Sequence, residues 1–171
     1  MSLPELIIGG VTIPRLAGLD LSQEYGEVVS EAWHRMGDGT LEVQENWSAK
    51  RSTTISGSGW IPAAFSSIAF NTDLEISCIA PEAVQGATTT LIVPAARRSD
   101  AGPYGFAIVN GREVPTPLSL AANTATLSAV TGASLYIVKY YPKFTARFKR
   151  PRRGLSRGDA TYSWSLEAEE V

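Results

Sequence analysis

The sequence predicts an all-β chain, an antiparallel β-sandwich-like single domain, and three observations carry that expectation. Apolar and polar residues alternate with a period of two along several segments, the pattern of strands with one buried face. Turn dipeptides stand between those segments, Asn110-Gly111 above all, because Asn-Gly accepts the positive φ of a tight hairpin turn. Ten prolines and 15 glycines punctuate the chain and leave few stretches long enough for a helix.

The elements follow in order. Residues 1–20, broken by Gly9-Gly10, Pro14 and Gly18, are expected to form an extended N-terminal arm, and residues 21–171 the β domain. Residues 23–32 have some helical character, but Val28-Val29 suits a strand equally well, and a strand is assigned. Gly37-Asp38-Gly39 then suggests a hairpin into Leu41, Val43 and Trp47. After a strand over 52–55, Ser56-Gly57-Ser58-Gly59 is expected to bulge or bend, with Trp60-Ile61-Pro62 re-entering the core. Leu74, Ile76, Cys78 and Ala80 alternate with polar neighbours, and residues 106–109 pair with 112–114 across Asn110-Gly111. The β-branched and aromatic run 134–141 predicts a more fully buried strand. Residues 151–158 are expected to form a long basic loop. Tyr162, Trp164 and Leu166 then share one face of the last strand.

At 171 residues the chain has the length of one domain and can bury a sizeable core without a disulfide or metal. Cys78 is the only cysteine, so no intrachain disulfide can form. No leader or membrane-spanning segment is recognised, and no membrane partner is expected. The net charge of −2 conceals a separation. Eight basic residues and no acidic one lie between Lys139 and Arg157, which leaves seven basic against all 17 acidic residues elsewhere, a balance of −10. From Asp20 to Glu45 seven acidic residues stand against Arg35 alone. Separation of this kind bears on partners more than on fold.

No catalytic group is assigned. The single histidine, His34, is expected at a surface or turn, and Cys78 on an apolar face reads as an inert buried thiol. One His and one Cys do not make a zinc site, no calcium-loop pattern occurs, and no cofactor is expected. The Ser-Gly-Ser-Gly run lacks the ending of a phosphate-binding loop. The basic stretch, with Phe144 and Phe148 interleaved, admits contact with nucleic-acid phosphates. With no nucleic-acid motif and an acidic pI, sequence-specific binding is not expected. An electrostatic seam between subunits, or a solvated loop, is preferred. The candidate interface residues are Lys143, Arg147, Lys149, Arg150, Arg152, Arg153 and Arg157 on the basic side. On the acidic side they are Glu24, Glu27, Glu31, Glu42 and Glu45.

Several segments in order resemble tail proteins of long-tailed bacteriophages. They are Asp38-Gly39-Thr40, Gln44-Glu45-Asn46-Trp47 and the run from Arg51 to Pro62, then Leu74 to Pro81, Arg97-Arg98-Ser99-Asp100, the Asn110-Gly111 hairpin, and Ala160 to Glu170. The resemblance implies a virion structural protein of the distal tail, baseplate or tail tip, assembled in the host cytoplasm. It further implies a homo-oligomeric ring that joins the tail tube to hub or fibre proteins. Most described distal tail proteins carry a second, galectin-like domain, for which this chain is short. A carbohydrate- or receptor-binding β-sandwich module is the alternative, suggested by four tryptophans and six tyrosines. Core packing is expected to account for Trp47, Trp60 and Trp164.

Overall fold

The computed structural model describes residues 4–171 and is built from strands, with two single-turn 3-10 segments and no α-helix among those residues. No helix there is long and apolar enough to cross a membrane. In chain order the strands are β1 (Ile7–Ile8), β2 (Val11–Thr12), β3 (Asp20–Arg35), β4 (Leu41–Gly59), β5 (Asp73–Ser77), β6 (Glu82–Gly86), β7 (Thr90–Ile92) and β8 (Tyr104–Val109). They continue with β9 (Arg112–Thr116), β10 (Leu118–Ala121), β11 (Thr124–Leu127), β12 (Ala133–Tyr140), β13 (Lys143–Phe148), β14 (Arg152–Ser156) and β15 (Thr161–Glu170). Two compact units result: Met1–Thr12 with Glu75–Phe144, and Ile13–Leu74 with Thr145–Val171.

The first unit is a small sandwich. Its four-stranded sheet runs β6-β12-β8-β9 and its three-stranded sheet β10-β11-β7. Alternate residues of both sheets meet in one core: Ala107, Tyr136, Val138 and Tyr140 from one, Leu91, Ala125 and Leu127 from the other, with Val93. The expected Asn110-Gly111 hairpin is present, with Val109 opposite Arg112 and φ of 52° and 75° at the two turn residues. Arg98, 2% exposed, clamps this unit. Its guanidinium donates to the carbonyls of Glu5 (2.7 Å) and Cys78 (3.0 Å) and to both carboxylate oxygens of Asp100.

The N-terminal segment is not an extended arm. Gly9-Gly10 turns β1 back into β2, and β1 pairs with β5, Ile7 opposite Ser77. Leu6, Ile8, Ile13 and Ala17 are buried, because four apolar side chains at these positions lose more by hydration than the chain gains in freedom.

The second unit is organised by β15. One side of β15 pairs with β4 over eight residues, Tyr162 opposite Gly59 to Glu169 opposite Ser52, and β4 pairs in turn with β3. The other side pairs with the end of β13 and with β14. Trp164, Leu166 and Ala168 alternate on the buried face, as the sequence predicts. Trp164 meets Phe65 edge-to-face at 5.1 Å, and Phe65 and Phe148 each meet Phe70.

Two further expectations are corrected here. Ser56-Gly57-Ser58-Gly59 neither bulges nor bends; it continues β4 in unbroken register with β15, and with β3 as far as Ser58. Glycine is needed because a Cβ at Gly57 would lie 2.6 Å from the Trp164 ring, and one at Gly59 would collide with the Leu16 carbonyl. Residues 152–156 of the expected basic loop form β14, because the outer N–H and C=O groups of β15 would otherwise lack partners.

Candidate assembly interface

In the second unit β4 and β15 are flanked by β3 on one side and by β14, with the end of β13, on the other. Among the described residues β3 pairs with β4 alone and ends the sheet with an outward row of backbone donors and acceptors, whereas β14 pairs with β15 on the side that β15 shares with the end of β13. Their charges are opposite. β3 carries Glu24, Glu27 and Glu31, whereas β14 carries Arg152 and Arg153, with Arg150 just before it and Arg157 in the turn that follows. Every side chain of β14 is exposed.

Among the described residues, the ion pairs of the basic stretch are made with carboxylates outside the acidic region 20–45. Lys143 pairs with Glu75 at 2.8 Å, Arg147 with Asp73 at 2.6 Å and Lys149 with Glu167 at 2.8 Å. Lys139 pairs with Glu113 at 2.7 Å and lies 4.6 Å from the Phe106 ring centre. The Lys149–Glu167 hydrogen bond raises the lysine pKa and lowers that of the carboxylate. Lys139 reaches across β8 to β9, whereas the other three pairs use carboxylates of the neighbouring strand. Arg150, Arg152, Arg153 and Arg157 make no ion pair among the described residues, and neither do Glu24, Glu31, Glu42 or Glu45. A shallow groove of about 350 Å³ runs beside β14, lined by Arg152, Arg153, Gly154, Ser163, Trp164 and Ser165.

A third surface was not legible as such in the sequence. Beyond Lys50, β3 and β4 pair with one another alone among the described residues and form a two-stranded ribbon. Asp38 closes its turn, accepting the Thr40 N–H at 2.9 Å, and this hydrogen bond lowers the Asp38 pKa. Trp33 stands opposite Val43 and Arg35 opposite Leu41 on one face. Trp33 is 63% exposed, and Val29, Met36, Leu41 and Val43 are exposed as well. On the same face Glu31 stands opposite Glu45, an unfavourable like-charge pair in a lone ribbon. Glu42 lies opposite His34 on the other face, which places His34 on this exposed ribbon.

Core packing does not account for two of the three tryptophans assigned to it. Trp164 is buried, but Trp47 is exposed on the ribbon and Trp60 is 65% exposed. Trp60 follows the last residue of β4, where its backbone N–H bonds to the Leu16 carbonyl and its side chain leaves the sheet. Cys78 is buried and forms no disulfide among the described residues. Among the described residues, no three His, Cys, Asp or Glu side chains are grouped to hold a metal ion.

Neither a protein-family model nor a curated protein matches this chain.

Proposed function

We propose that this chain is a structural subunit of a bacteriophage tail, a distal tail or baseplate component that forms an oligomeric ring joining the tail tube to hub or fibre proteins. The observation that carries the reading is the ribbon of β3 and β4. A two-stranded ribbon is at best marginally stable alone, yet this one extends beyond its sheet with Trp33, Leu41 and Val43 in solvent. A contiguous exposed apolar surface of this kind marks an interaction site. The separated charges of β3 and β14 add a means of fixing orientation. A closed ring needs two complementary surfaces on every subunit, and acidic β3 and basic β14 lie on opposite sides of β4 and β15. The virion is the corresponding location, and no catalytic step or cofactor belongs to this reading.

Native mass spectrometry and negative-stain images of the pure protein test it. Rings or oligomers of one stoichiometry are expected; a strictly monomeric protein absent from purified particles would end the proposal.

A second reading, a carbohydrate- or receptor-binding module of the tail tip, is favoured by one observation. Trp60, the neighbouring Ile61, and Leu16 and Leu19 are all exposed near the end of β4. An exposed indole offers a stacking face for a sugar. Glycan-array binding abolished by Trp60→Ala supports this reading, and an array without signal removes it.

A further inference from the structure

We infer that the β3–β4 ribbon packs face to face on the ribbon of a second copy, antiparallel about a two-fold axis, with Arg35 of each copy over Glu31 and Glu45 of the other. The inference rests on the assembly reading above, which makes the ribbon an association surface, and it names the partner and the contacts.

Three cross-strand rows form the face. Arg35 and Leu41 stand nearest the turn, Trp33 and Val43 in the middle, and Glu31 and Glu45 towards the sheet. All six side chains are exposed. Two carboxylates set directly opposite each other repel, and neither has an ion pair among the described residues. The face is therefore positive at one end, negative at the other and apolar between.

That order makes the face complementary to itself. A half-turn about an axis along the Trp33–Val43 row reverses the direction of the second ribbon. Trp33 then meets Trp33 and Val43 meets Val43, while the Arg35 row of each copy covers the Glu31 row of the other. Every contact occurs twice, as in any isologous dimer. Packed faces lie about 10 Å apart, a gap that an arginine and a glutamate side chain span together. Arg35 donates one hydrogen bond to the Gly39 carbonyl at 3.2 Å, and its remaining N–H groups are left for the two carboxylates. The other face-to-face arrangement, with an axis along the strands, would gather four carboxylates in one row. Charge thus selects the antiparallel one.

The space for it exists along the ribbon. Asp38, in the turn, is five residues beyond Trp33, about 17 Å along an extended strand. In the other direction β15 joins β4 at Ser52, opposite Gly26, seven residues or about 23 Å from Trp33. The turn of one copy therefore ends short of the other copy's full sheet. A pair of this kind closes on itself, so it joins two copies and leaves the ring contacts to other surfaces.

The test uses two charge-reversed forms of the full chain, Arg35→Glu and the double variant Glu31→Lys with Glu45→Lys. By analytical ultracentrifugation at low salt, each alone should self-associate about tenfold more weakly than wild type, since like charges then face each other. An equimolar mixture should regain wild-type association, and native mass spectrometry should show one chain of each kind in the pair. A misfolded variant could not recover on mixing. Oligomeric wild-type protein whose variants associate as it does, or variants that stay apart when mixed, would overturn the ribbon pairing and leave the assembly reading standing. Wild-type protein that stays monomeric at all concentrations would overturn both. Should the double variant fail to fold, by circular dichroism, Arg35→Gln decides: association equal to wild type would overturn the pairing.

Discussion

Gly57 and Trp164 stand opposite each other across the β4–β15 ladder, and the indole occupies the space a side chain at position 57 would need. The same indole donates its N–H to the Ala17 carbonyl at 2.7 Å. One tryptophan thus ties the strand pair to the segment that leads into β3, and it stays buried because its neighbour has no Cβ.

Gly57→Ala should therefore destabilise the protein by about 1–3 kcal/mol, the usual cost of overpacking a filled core. Urea denaturation followed by tryptophan fluorescence measures it. Ser58→Ala, one residue along the same strand, should stay within about 0.5 kcal/mol.

Arg98→Met should cost more than a surface substitution, about 2–3 kcal/mol, because it removes a charged donor from several carbonyls at once. Thermal melts of the two proteins give the comparison. Equal melting temperatures would show that the clamp contributes nothing.

Asp100 gives a pH dependence of known sign. The Arg98 hydrogen bond holds its carboxyl below 3.8, its ordinary value. A depressed folded-state pKa contributes stability that is complete above the unfolded value and is lost as pH falls through the folded one. Asp100→Asn should accordingly lower stability at pH 6, and the difference from wild type should shrink below about pH 3.8 and vanish at the acid extreme. Denaturation curves between pH 2 and 6 check it.

Gly111→Ala should cost about 1 kcal/mol, since position 111 has a φ of 75° that a side chain disfavours. Asn110→Gly should be within about 0.5 kcal/mol of wild type, because glycine accepts the 52° found there. Chemical denaturation distinguishes the two.

On the ribbon, Trp33→Ser separates assembly from folding. An exposed side chain outside the core should change monomer stability by no more than about 0.5 kcal/mol. Association measured by sedimentation should nevertheless weaken. Unchanged association would remove the ribbon from the interface.

Local chemistry made much of this legible in the sequence. Period-two alternation placed Trp164 and Leu166 on one face of β15, and Asn110-Gly111 and Gly37-Asp38-Gly39 each stand at the turn of a hairpin. Each signal lies within a few residues and needs no distant partner. The separation of acidic from basic stretches was equally visible, since composition alone contains it.

Long-range pairing decided the rest. The Arg-Arg-Gly-Leu-Ser of β14 has little strand propensity of its own and is a strand because β15 needs partners on its outer side. Trp60 and Trp164 are the same residue type beside strands, yet one is exposed and one buried. Only the register of β15 against Gly57 distinguishes them. Acidic β3 and basic β14 likewise came to flank β4 and β15 from opposite sides only through the pairing of those strands. Charge and periodicity belong to the residues themselves, whereas burial and free edges belong to pairs of residues far apart in the chain, and those exist only in the folded molecule.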